Sequence, residues 1–91
     1  MDESKYTEIE LLLSIAMSIS PNSVKDIAAA SGIKASSLYK WRTVADYHMS
    51  AKKTEALLTY FVEKEPLILI MAEIVKSVLT ILLVDSASLT D

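Results

Sequence analysis

Ile9, Leu12, Leu13, Ala16 and Met17 stand at i, i+3, i+4, i+7 and i+8, one apolar stripe that predicts a helix over residues 4–19. Thr7 and Glu10 have capping-box spacing, so the regular helix can begin as late as Thr7. Pro21-Asn22 stops it, because the residue before a proline avoids helical geometry. Val24, Ile27, Ala28 and Ala30 then give a short second helix, over residues 24–30, an inward face. Leu38 and Trp41 do the same for a third over residues 35–42, and residues 43–49 read as a connecting loop. Ser50 is a good N-cap for a fourth helix running to Glu63, and Pro66 suits the first position of a fifth that reaches residue 84. The last two can equally form one kinked rod. No repeat or low-complexity stretch is present. The expected fold is all-α, with four to five helices.

Residues 23–42 combine several requirements of a tight two-helix unit. Ser23 is an N-cap with Asp26 three residues on, and Ala28 is small where two helices must cross closely. Gly32 falls where the chain must turn sharply, since glycine adopts φ > 0 without a Cβ clash. Ile33, Leu38 and Trp41 are the apolar plugs of the helix that follows. Through Ala28, Gly32, Ile33, Leu38 and Trp41 this unit resembles the helix-turn-helix of the Cro/repressor (XRE-like) class, over about 20 of the 91 residues. Two features depart from that class: Ser31 stands where an apolar residue is usual, and no glycine follows Trp41-Arg42. Terminase small subunits and transposases carry similar units. The resemblance implies a DNA-reading domain over residues 1–65, with residues 66–91 as an appended hydrophobic helix and short tail.

The net charge of −3 argues against nucleic acid until it is divided along the chain. Residues 1–22 carry one base against four acids and residues 54–91 two against six, whereas residues 23–53 carry six against two, a local +4. Local sign decides, because screening removes most interactions beyond about 8–10 Å. A chain of 91 residues with no Cys buries only about 60–65% of its unfolded surface and has no disulfide to help, so oligomerisation is expected to stabilise it. The acidic N-terminus, MDESKYTEIE, has no basic segment ahead of an apolar run, which makes the cytoplasm the expected location.

On the third helix a 100° step turns Leu38 and Trp41 inward and Ala35, Ser36, Tyr39, Lys40 and Thr43 outward. Ala35, Ser36, Ser37, Tyr39 and Lys40 are therefore the candidate base-facing residues: a methyl for thymine, hydroxyls for base edges, and an ammonium for guanine or phosphate. Residues 33–41 hold no Arg, Asn or Gln, so part of any specificity would come from DNA shape. Lys52 and Lys53 occupy the first turn of the fourth helix, where the dipole disfavours bases; a phosphate held there by N–H groups and both ammonium groups would explain them. Ser23, Lys25, Lys34 and Arg42 are further phosphate candidates. The competing reading of all these residues is an ordinary solvated surface.

Residues 66–84 are long and apolar enough to suggest a membrane span. Thirteen residues favour insertion by about 0.3–0.6 kcal/mol each, but Glu73 and Lys76 near the centre oppose it by about 2.5–3.5 kcal/mol each, which nearly cancels the gain. Glu73, Lys76, Ser77 and Thr80 share one face, a narrow wet stripe on a dry helix. A dimer interface through Leu67, Ile70, Met71, Ile74, Val78, Ile81 and Leu82 is preferred to a membrane anchor. His48 is the sole histidine, without flanking ligands, and no phosphate loop, nucleophile elbow or HExxH is present. Neither an enzyme nor a metal, cofactor or small-molecule substrate is expected. The expected partners are double-stranded DNA and a second copy, in a homodimeric repressor on an inverted-repeat operator. The alternative is a protein-interaction module, such as an antirepressor, an adaptor or a phage assembly component, associated with a membrane through residues 66–84.

Overall fold

The computed structural model describes residues 2–44 and 47–89, with side chains over 8–44 and 47–83. It is all-α among those residues, with helices α1 (Asp2–Ile19), α2 (Val24–Ser31), α3 (Ala35–Thr43), α4 (Ala51–Lys64) and α5 (Pro66–Leu89). Two ends differ by more than one residue from the sequence expectation, while α2, α3 and α4 each run one residue longer. Helix α1 starts at Asp2, so Thr7 lies within it rather than at its cap, and α5 passes residue 84 to reach Leu89. Neither extension contains a Gly or Pro to end a helix. The loop from Val44 to Ser50 includes positions 45 and 46, which lie outside the described residues.

The core gathers Leu13, Ala16 and Met17 of α1 with Ile27 and Ala28 of α2, Ile33, Leu38 of α3, Met49, and Leu57, Tyr60 and Phe61 of α4. Trp41, Ile9 and Leu12 pack against it while only partly buried. Ala30 does not share the inward face of α2; it is exposed, and Ser31, one turn beyond Ile27 and Ala28, is the half-buried residue. The Tyr60 and Phe61 rings meet edge-to-face at 5.1 Å and 76°, a favoured aromatic geometry.

Helices α4 and α5 are separate, because Glu65 between them leaves helical geometry at φ −139°, ψ 57°. That residue is also the centre of a buried polar joint. Its Oε1 accepts from the Ser20 hydroxyl at 2.7 Å, and its Oε2 accepts from Asn22 Nδ2 at 2.9 Å and from the Tyr60 hydroxyl. Asn22 Nδ2 also reaches the Tyr60 oxygen at 3.3 Å. The joint fastens the end of α1 and the approach to α2 onto the α4–α5 corner. Burial alone would raise the Glu65 carboxyl, but the hydrogen bonds from Tyr60, Asn22 and Ser20 together outweigh it and hold the group below its ordinary 4.5. Burial, then the bond to that carboxylate, pushes the Tyr60 hydroxyl from 10.0 up to about 12.

Helix α5 lies antiparallel to α1. Residue 20 meets residue 65 at one end, and at the other Lys76 Nζ stands 3.5 Å from Glu8 Oε1. Ala72 is the buried α5 residue on this seam, with Ile68 and Leu69 partly buried beside it. Lys76 therefore does not belong to a wet outer stripe with Glu73, Ser77 and Thr80. It follows Ala72 by one turn and is half-buried against α1, while the other three are exposed.

Candidate nucleic-acid interface

The unit formed by α2, its turn and α3 is built from local chemistry. The Ser23 hydroxyl accepts from the Asp26 N–H at 3.1 Å, satisfying one of the orphan donors at the start of α2. Gly32 ends the helix at φ 80°, ψ 11°, with its N–H donating to the Ala28 carbonyl at 2.9 Å. Ser31, the apparent misfit beside it, folds its hydroxyl into the turn. It donates to the Ala28 carbonyl at 3.3 Å and accepts from the Ile33 N–H at 3.4 Å, a polar substitute for an apolar plug.

Lys34 is the N-cap of α3 and Ser50 the N-cap of α4, where the Ser50 hydroxyl accepts from the Lys53 N–H at 3.2 Å. Neither first turn contains an acidic residue, in contrast to α2 with Asp26. The two first turns are linked by one long side chain, Lys53 Nζ donating to the Ser37 hydroxyl at 3.3 Å. Two helix ends with no acid in the first turn are thus bridged by a lysine. Lys34, Ser36, Lys40 and Lys52 are exposed on α3 and α4, and Ser23 and Lys25 are exposed at the start of α2.

Several expected contact residues have other engagements. Ala35 is half-buried against the core rather than outward, since it lies only about 60° from Leu38 at 100° per residue. Arg42 lies about 40° from Leu38 by the same step. Its Nη2 accordingly donates to the Ser18 hydroxyl on α1 at 3.1 Å and is directed away from Ser36 and Lys40. Ser37 and Lys53 are half-buried and bonded to each other. Tyr39 is exposed, and Lys40 Nζ lies 5.8 Å above the Tyr47 ring, a cation–π contact that steadies the ammonium while leaving it accessible. The outward face proper is Ser36, Lys40 and Thr43, flanked by Tyr39.

His48 is not isolated. Its Nδ1 lies 2.9 Å from Oε1 of Glu10, a carboxylate buried on α1 whose Oε2 has no hydrogen-bond partner among the described residues. Among the described residues no group of three or more His, Cys, Asp or Glu is placed to hold a metal. No protein family, curated protein or solved structure matches the chain.

Proposed function

We propose that the chain is a sequence-specific DNA-binding transcriptional regulator, a repressor, with α3 as its reading helix. The observation that carries this reading is the corner where the first turns of α3 and α4 are joined through Lys53 and Ser37. Two acid-free helix N-termini there present Lys34 and Lys52 to solvent, a geometry suited to a pair of backbone phosphates. Ser36 and Lys40, exposed on α3, reach toward base edges, and the exposed Lys25 adds positive charge at the start of α2. An inverted-repeat operator takes two such heads in successive major grooves, about 34 Å apart.

Fluorescence anisotropy with labelled duplex DNA tests the reading. Affinity is expected to fall steeply with salt, and Lys34→Ala or Lys52→Ala to weaken binding to all sequences alike, each reducing the salt slope by about 1. Binding that ignores salt, or survives the double substitution intact, would contradict it. A second reading, the protein-interaction module, is favoured by one observation, the broad exposed apolar surface of α5. A soluble chain that binds no duplex at low salt would support that reading instead.

A further inference from the structure

The face of α5 opposite α1 is bare. Leu67, Ile70, Met71, Ile74, Val78, Ile81 and Leu82 are each between 49% and 72% exposed. Apolar area on this scale, contiguous on one helix, marks an interaction site rather than ordinary surface. We infer that a second copy of the chain covers it, α5 against α5, so that the two α1–α5 pairs form a four-helix assembly.

Spacing is the first support. Leu67, Met71, Ile74, Val78 and Ile81 are separated by four, three, four and three residues, the 3.5-residue repeat of a coiled-coil seam. Ile70 and Leu82 flank that seam, while Ala72 and Lys76 point the opposite way into the contact with α1. The helix thus has an inner side held against α1 as far as Lys76, beyond which Leu79 and Leu83 emerge on that side as well, and an opposite side that is bare along its described length. Area is the second support. Seven residues each giving up roughly 100 Å² supply on the order of 700 Å², close to the about 800 Å² per partner of a standard stable interface.

A lipid bilayer suits the same face less well. The segment Pro66–Leu83 passes the length and hydropathy test for a span, with mean hydropathy 2.1 and only 6% of it buried. Helix α1 is fastened along it, however, by the Lys76–Glu8 pair and by the Ser20–Glu65 bond. A spanning α5 would carry those charges into hydrocarbon or strip α1 away from Ala72. A second copy demands neither.

The pairing supplies the two heads required for an inverted repeat, and in that purpose it rests on the DNA-reading proposal. Its test contains no DNA, so the two fail separately. The full chain is examined by sedimentation equilibrium from about 1 to 100 µM, a range that spans moderate affinities. The wild type is expected to be a dimer, and Ile74→Glu to raise the dissociation constant at least about 100-fold while far-UV circular dichroism stays helical, because the seam would then bury a charge on each copy. Val78→Glu repeats the test at the next seam position should the first variant misfold, and Glu73→Gln, off the seam, should dimerise like the wild type. A wild-type monomer throughout, a folded Ile74→Glu that pairs as tightly as wild type, or an assembly of three or more copies would overturn the inference. Recovery of the chain only with detergent, or its flotation with phosphatidylcholine–phosphatidylglycerol vesicles, would overturn it in favour of the membrane.

Discussion

Replacing Glu65 by alanine tests the polar joint that fastens the end of α1 and the approach to α2 onto the α4–α5 corner. The substitution removes the acceptor of three side-chain hydrogen bonds, from Ser20, Asn22 and Tyr60. Their losses differ, because Asn22 is exposed and Ser20 half-buried, so both can turn to water. Tyr60 is only 7% exposed, and its hydroxyl keeps no better partner than the Asn22 amide. Stranding one buried hydroxyl costs about 1–3 kcal/mol, and losing bonds to a charged acceptor adds to it, which gives about 3 kcal/mol for Glu65→Ala. For a domain of this size that corresponds to a fall in Tm of about 12–24 °C. Glu65→Gln keeps the shape and one acceptor oxygen and should cost about 1 kcal/mol.

Urea unfolding followed by circular dichroism measures both changes, and pH separates the charge from the packing. The Glu65 carboxyl is held below its ordinary 4.5 in the fold, so its contribution is present above that value and is lost as pH falls through the lowered folded value. The gap between wild type and Glu65→Gln should therefore be full at neutral pH and close in acid. Tyr60 acts in the opposite direction. Its folded value is raised from 10.0 to about 12, so the stability it adds is complete below pH 10 and drains away as pH climbs toward 12. A Glu65→Ala variant within about 0.5 kcal/mol of wild type, the range of ordinary surface substitutions, would refute the reasoning, as would a gap that widens in acid.

Two further substitutions probe the α2–α3 unit and its support. Gly32→Ala meets no atom within 4 Å of the added Cβ, so its cost is backbone strain alone at φ 80°, about 1–2 kcal/mol by thermal unfolding, with α3 otherwise kept. His48→Ala deprives the buried Glu10 carboxylate of its one hydrogen-bond partner among the described residues and should destabilise the fold by about 1–3 kcal/mol, whereas a loop histidine with no such partner would cost almost nothing.

How much of this was legible in the sequence follows the range of each interaction. The caps at Ser23 and Ser50 and the Gly32 turn are settled within four residues, and they stand where the residue pattern places them. The stripe Leu13, Ala16 and Met17 was equally plain, because large apolar side chains at one period leave few choices. Alanine gives a weaker signal. Ala30 and Ala35 lie at the margins of their helix faces, where a single methyl does not decide burial, and the structure exposes Ala30 and half-buries Ala35, each contrary to expectation. Pairings across the fold left no trace in the sequence. Glu65 reads as one charge in a flank until Ser20 and Asn22 arrive from more than forty positions away, and Glu10–His48 and Arg42–Ser18 are hidden in the same way. Lys76 looks like one member of a polar stripe until α1 docks and Glu8 takes it. The basic segment 23–53 was visible as charge, but the Lys53–Ser37 bond that links the first turns of α3 and α4 was not.

Selection of duplexes from a random pool by the purified full chain tests the DNA-reading proposal most directly. The account predicts enrichment of an inverted repeat whose half-sites lie about 10 base pairs apart, bound by two copies and released by added salt. A pool that returns unchanged after repeated rounds at low salt would contradict it.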